Sequence, residues 1–212
     1  MASSTQTTPS EENMKVLVVG ATGTIGKLVI KELAPRHEII EASKTNSKHQ
    51  VDITNEQSIR DLFAKVGKVD AIISVAGNVH FGLVKEMTAA QFNIGLQDKL
   101  LGQVNLALIG QHFLNDGGSI TLSSGKVSHD PIPYGSNVTV VNAAVDAYAV
   151  GAAIELERGI RINSVSPSVL QESWEAYGPY FAGFDPVPGA KVALAYRKSV
   201  EGRQTGQNYR VW

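Results

Sequence analysis

Cysteine is absent from the 212 residues. That removes disulfides, thiolate nucleophiles and Cys-ligated zinc, and points to an intracellular, cytoplasmic setting. An excess of one charge sign is missing too: 19 Lys and Arg stand against 20 Asp and Glu, a formal net charge of −1. With no basic stripe, neither nucleic acid nor an anionic membrane is expected as a partner. No apolar run approaches the roughly 18 residues of a membrane span. Residues 1–13, MASSTQTTPSEEN, hold no apolar stretch and no Arg, so a secretory signal or transit peptide does not fit and a disordered tail is expected. His37, His49 and His112 meet no acids at metal-ligand spacing, so no metal site is expected. No G-x-S-x-G elbow occurs, which disfavours a hydrolase.

What is present is alternation. MKVLVVG is a continuous apolar run ending at glycine, the pattern of a strand buried on both faces. TIGKLVIKELA then takes helical spacing and stops at Pro35. HEIIEAS reads as a strand, and NEQSIRDLFAKVG as a helix with an Asn cap and a terminal Gly67. DAIISVAG, SITLSS and IRINSVSP read as strands. A long amphipathic helix over TAAQFNIGLQDKLLGQVNLALIGQHFL is stopped by NDGG, and a second long helix spans residues 137–158. A helix over 188–199 and a strand in TGQNYRVW close the chain. Strand and helix alternate throughout with short links. The expected architecture is a single α/β domain over residues 14–212, a doubly wound and mainly parallel sheet with helices on both faces.

The first strand-to-helix turn, VVGATGTIGK, carries Gly20, Gly23 and Gly26. Gly20 permits a tight turn, Gly23 leaves room where backbone approaches a pyrophosphate, and Gly26 allows close helix packing. The backbone from Thr22 through Gly23, Thr24, Ile25 and Gly26 then offers free N–H groups and a positive dipole end to phosphates. At the end of the second strand an acidic residue would select NAD; Ser43 and Lys44 stand there instead, able to donate to and neutralise a 2′-phosphate, which favours NADP(H). Glu41 lies close enough to reverse that preference if the strand ends a residue or two earlier.

These motifs, with VDIT, SVAG, ITLSSG, ELERGIRINSVSP and a late TGQ, resemble the short-chain dehydrogenases/reductases, in particular compact bacterial-type members of about this length. The glycine spacing G-x-x-G-x-x-G is nearer the extended and atypical branches. The resemblance implies a Rossmann-type fold and an NADP(H)-dependent oxidoreductase acting on a small carbonyl or conjugated alkene. It implies that Asp52 and Ile53 meet the adenine, that Ala76, Gly77 and Asn78 line the adenosine, and that Pro167 and Val169 contact the nicotinamide. It also implies a homodimer or homotetramer through the two long helices.

The family's chemistry uses a Tyr, a Lys four residues later and a Ser. Counting back from ELERGIRIN, the Lys position falls on Asn142 and the Tyr position on Val138. Asn142 can hydrogen-bond a ribose but carries no charge, and Val138 cannot move a proton. Ser124 remains. Aligned on Gly102, the helix Asn that holds a relay water in many relatives is Lys99, which a desolvated site would turn into a general acid; the alternative is a solvated lysine beside Asp98. Tyr134, on a Pro- and Gly-bounded loop, is either a phenol donor or a packing residue. His80 and His129 are weaker candidates for the substrate mouth, and residues 169–189 form the expected lid. Two other functions stay open: a cofactor-independent cyclase or isomerase, and a nucleotide-binding protein without turnover.

Overall fold

The structure, a computed structural model, describes residues 13–212. The tail expected over residues 1–13 therefore lies outside the described residues, apart from Asn13.

Seven strands form one sheet in the order β3-β2-β1-β4-β5-β6-β7. They are β1 (Lys15–Val19), β2 (Glu38–Ser43), β3 (His49–Gln50), β4 (Val69–Ser74), β5 (Leu114–Ser123), β6 (Arg161–Pro167) and β7 (Asn208–Val211). Every neighbouring pair is parallel. The helices are α1 (Thr24–Leu33), α2 (Glu56–Val66), α3 (Ala89–Gly95), α4 (Gly102–Gly110), α5 (Ser136–Ala152), α6 (Trp174–Tyr177) and α7 (Gly189–Glu201). This is the doubly wound Rossmann-type α/β fold. Among the described residues no helix is long and apolar enough to cross a membrane.

The uninterrupted apolar strands have a packing cause. Val16, Leu17, Val18 and Val19 are all at most 1% exposed, because successive side chains enter cores on opposite faces of the sheet. Leu17 and Val19 join Ile59, Leu62, Phe63 and Leu106 on one face; Val16 and Val18 join Val29, Leu33, Val192 and Tyr196 on the other. Each fully buried Val or Leu contributes about 1.5–3 kcal/mol. Asn55 caps α2 as its spacing implies, its side chain accepting from the Ser58 N–H at 3.1 Å, and Gly67 ends that helix at φ 73°.

Three expectations change. The long amphipathic segment is not one α-helix: a π-helical turn, Leu96–Leu101, separates α3 from α4, and a 3-10 turn ends it at Phe113. The Asn-Asp-Gly-Gly segment stops no helix; it lies within β5, whose pairing with β4 shifts register between Val69 and Ala71, and Gly117 takes φ 74°. α5 ends at Ala152 rather than at Arg158, where the chain turns through Arg158 (φ 57°) and Gly159 (φ 69°) to enter β6.

The order of strands reverses between β1 and β4, so the loops leaving their carboxyl ends diverge and open a crevice. Residues 169–189, the segment expected as a lid, follow the carboxyl end of β6. Its base is closed by the Leu170–Val187 bridge, with the Gln171 N–H donating to Val187 O at 2.9 Å.

Candidate active site

The crevice is built first by glycine. Gly20 turns at φ 95°, and a Cβ there would lie 2.8 Å from the Val75 carbonyl carbon. Its N–H donates to Ala42 O at 2.8 Å, tying the turn to the end of β2. A Cβ on Gly26 would lie 2.2 Å from Gly20 O, so the first turn of α1 sits directly on the phosphate turn. At Gly23 a Cβ would meet only Gly20 O, at 3.4 Å; its other side is open. Thr22, Gly23 and Thr24 are exposed there, and Ile25 is half-buried.

A small cavity of about 80 Å³ continues from this turn, lined by Gly20, Ser43, Lys44, Asp52, Ile53, Ala76, Gly77, Asn78 and Asp98. Eight residues picked from sequence thus share one wall with Asp98. Ser43 is 5% exposed and its hydroxyl donates to Thr45 O at 2.5 Å. The Lys44 ammonium pairs with Asp52 at 2.8 Å. The hydrogen bond from Lys44, with a second from Thr54, holds the Asp52 carboxyl below the usual range, and the same pairing raises Lys44. Asn78 donates to Asp98 at 2.7 Å across the mouth.

Ser124 follows β5 and is 7% exposed; its N–H donates to Val165 O at 2.9 Å, and its hydroxyl makes only a long 3.4 Å hydrogen bond to the same oxygen. Behind it, a Cβ on Gly125 would lie 3.0 Å from Asn142 Nδ2 and 3.7 Å from Pro167 O. The ends of β5, β6 and α5 therefore meet here. Asn142 is 3% exposed and its Oδ1 finds no hydrogen-bond partner among the described residues. Leaving such an acceptor unpaired costs about 1–3 kcal/mol, and a ribose hydroxyl has the chemistry to satisfy it. The open face at Gly23 and this orphaned oxygen both fit a dinucleotide. Val138 instead packs with Val127, Ile132, Val169 and Phe181 in a separate apolar cluster beneath the lid.

Lys99 sits in the π-helical turn, and its stem runs along Gly77, where a Cβ would lie 2.7 Å from Lys99 Cα and 3.1 Å from its Cδ. The residue keeps partial exposure; burial pushes its pKa down to about 8 against the through-space pull of Asp146 and Asp98. Asp146, one turn beyond Asn142, accepts from Ser164 at 2.9 Å and from Ser128 at 3.3 Å.

Tyr134 is not brought to Ser124. It is 43% exposed and held at φ 64°, a conformation that costs a bulky residue strain. Its ring meets Tyr180 edge-on at 6.0 Å. Phe81 lies 6.4 Å from both Tyr177 and Tyr180, so four rings from three loops form an aromatic rim. A groove of about 750 Å³ runs beside it past Leu83, Val84, Pro131 and Val140 without reaching Ser124 or Lys99. The His129 ring lies 5.4 Å from that of Trp212, tilted by 55°; the His80 N–H donates to Asn137.

Two organising residues escape sequence reading. Asn137, fully buried, donates to Phe92 O at 2.7 Å and accepts from His80 N at 3.0 Å, clamping α3 and the post-β4 loop to α5. Gln103, also fully buried, bonds both main-chain groups of Ser123 and the Lys99 carbonyl. The segment LLGQVNLALIG carries two amides, Gln103 and Asn105, and nothing in the sequence marks Gln103 as the buried one.

The profile of the enoyl-(acyl carrier protein) reductase family matches residues 8–183. The chain belongs to this family, within the short-chain dehydrogenases/reductases. Among solved structures, the protein lin1944 of Listeria innocua is 48% identical, with TM-score 0.93 over 94% of this chain and all of that one. A small-chain dehydrogenase in complex with NADPH is 26% identical, with TM-score 0.84 over 94% and 97% of the two chains. A short-chain dehydrogenase/reductase of Pestalotiopsis microspora is 28% identical over 79% of this chain and 73% of its own. A versicolorin reductase of Emericella nidulans is 26% identical over 71% and 62%.

Proposed function

We propose that the chain is an NADP(H)-dependent oxidoreductase of a small carbonyl or conjugated alkene, in which Lys99 replaces the missing phenol as proton donor. The observation that carries this reading is the stem of Lys99 laid against Gly77 at the crevice, with burial lowering the pKa of its amine while Asp146 and Asp98 act on it through space. A nicotinamide cofactor, when bound, supplies or accepts the hydride. The chain's own work is to bind and to move the proton. The Gly20–Gly26 turn and the start of α1 hold the phosphates. Asn142 Oδ1 accepts from the ribose, and Ser124 donates to the substrate oxygen. An amine near 8 is charged at neutral pH, yet closer to the operating pH than a solvated lysine, which favours proton transfer.

Preference for NADP(H) is supported by the NADPH complex of a 26% identical relative; Lys44 meets a 2′-phosphate only by leaving Asp52, with which it pairs at 2.8 Å. An enoyl-[acyl-carrier-protein] reductase of Rickettsia bellii, 30% identical over 58% of this chain, is an NADH enzyme by name, so the direct comparison of both cofactors is required. The aromatic rim and the hydroxynaphthalene reductase-like and versicolorin reductase relatives support an apolar, ring-bearing substrate.

The test is calorimetry with NADPH and NADH, followed by a screen of aryl ketones, quinones and enones for NADPH consumption. Turnover that Lys99→Ala reduces by about 10²-fold or more, the ordinary yield of a general acid, supports the reading. Absence of turnover over the whole panel, with Lys99→Ala equal to wild type, ends it. Val138 sealed in its apolar cluster favours a second reading, a nucleotide-binding protein without turnover. That reading gives cofactor binding and no consumption.

A second copy of the chain is the proposed partner. Ile94, Leu101 and Leu108 on the helix before β5, and Val140 and Val150 on α5, are 40–53% exposed, and Ile154 is 88% exposed. Two such faces packed together form a four-helix contact. Light scattering that finds only the mass of one chain overturns this.

A further inference from the structure

We propose that Gln103 is a positioning residue: its side-chain amide holds the π-helical turn that carries Lys99 in fixed register with the end of β5 that carries Ser124. The inference rests on the proposed roles of those two residues, but its geometry is independent of them.

The bonds are specific in both directions. Gln103 Nε2 donates to Ser123 O at 2.9 Å and to Lys99 O at 3.1 Å, while Oε1 accepts from Ser123 N at 2.8 Å. One fully buried amide therefore uses both Nε2 protons and its oxygen, and all three partners are backbone. Ser123 is otherwise anchored from below: its hydroxyl donates to Ser74 O at 2.5 Å and lies 2.6 Å from Tyr196 OH. The strand end is thus a fixed point, and Gln103 measures the helix from it.

The helix needs that measure because its turn is irregular. A π-turn inserts one residue into the helical repeat and leaves carbonyls poorly matched to the usual i−4 donors. The Lys99 carbonyl is the one that Gln103 supplements from its own side chain, four residues on. Close contacts flank the turn: a Cβ on Gly95 would lie 2.2 Å from Asn137 Oδ1, and one on Gly102 would lie 2.7 Å from Ile53 Cδ1. These fix the ends of the segment. They do not dictate which way residues 96–101 wind between them. A regular α-turn over the same span would rotate Lys99 about 100° around the axis, away from Gly77. The amide bond from Gln103 selects the wound-out form, in which the lysine stem lies in the crevice.

The test reads Lys99 directly and needs no substrate. Trace acetylation of the intact protein at a series of pH values, read on the Lys99 peptide by mass spectrometry, reports the amine's titration. Wild type is expected to titrate near 8. Gln103→Met keeps the length and removes every donor, and Lys99 is then expected to titrate at least one pH unit higher, toward an ordinary lysine. Gln103→Asn keeps an amide one methylene too short to span both partners. It is expected to show a smaller shift in the same direction, and it decides the matter if the Met variant does not fold cooperatively. Where turnover exists, both variants should lower kcat and move the pH profile with the labelling pKa, leaving KM for NADPH within about twofold. A Lys99 titration unchanged from wild type in a folded variant overturns the proposal. Full activity in Lys99→Ala removes the proposed catalytic role but leaves the labelling result, and so the role of Gln103, standing on its own.

Discussion

Lys99→Met should make the protein more stable at neutral pH while removing its proton donor. The native amine titrates near 8, against an ordinary 10.5, because burial disfavours its charged form. The unfolded chain therefore binds that proton more tightly than the native one, and carrying the charge into the fold costs free energy. At about 1.4 kcal/mol per pH unit the ceiling at pH 7 is roughly 3 kcal/mol. Partial exposure and relaxation around the side chain reduce the expected gain to about 1–2 kcal/mol. The sign with pH follows. The penalty is fully present below about 8, fades between 8 and 10.5 as the native amine loses its proton first, and is absent above 10.5. Urea unfolding followed by Trp fluorescence at pH 7 and pH 10 measures it. With an m value of about 2 kcal/mol/M, the midpoint of Lys99→Met should exceed wild type by roughly 0.5–1 M at pH 7, and most of that gap should close at pH 10. A variant less stable at pH 7, or a gap identical at both pH values, refutes a desolvated ammonium. Stability gained where function is lost is the usual sign of a group kept for its chemistry.

Gly26→Ala puts a methyl 2.2 Å from Gly20 O and 2.9 Å from Ala21 Cα, both backbone; it should cost about 1–3 kcal/mol in thermal unfolding and weaken NADPH binding at least tenfold by calorimetry. Lys44→Ala breaks an exposed pair with Asp52, so its stability should stay within about 0.5 kcal/mol of wild type, while NADPH affinity falls about tenfold, or roughly 1.4 kcal/mol, with NADH affinity unchanged. Asn137→Ala leaves the Phe92 carbonyl and His80 N–H without their buried partner and should cost about 2–4 kcal/mol, seen as a lower urea midpoint.

The glycine turn was readable because its rules are local. A Cβ on Gly26 would clash with Gly20 O six residues back and Gly20 turns at φ 95°, while the contact of Gly20 with Val75 is supplied by the fold. Asp52, Ala76 and Gly77 were named from the family resemblance and not from a local rule; they reach one cavity from separate places in the chain. The hydrogen bond of the Ser43 hydroxyl to Thr45 O was not legible, because the direction of a hydroxyl is not set by residue type. For Tyr134 the sequence left a phenol donor and a packing residue open; its edge contact with Tyr180, after a left-handed step at φ 64°, is the packing one. Lys99 was flagged by alignment, but periodicity alone would leave it in solvent; the π-turn that moves it inward depends on a side-chain amide seated against another strand.

Alone, the order of residues settled the parallel sheet and the glycine turn after β1. The first depends on hydrophobic repeat and the second on glycine's freedom at positive φ, and neither needs a distant contact. Tertiary structure alone decided the state of Lys99, the unpaired oxygen of Asn142 and the clamp made by Gln103. A charge loses its water, and a buried acceptor its partner, only when segments far apart in the chain close around them.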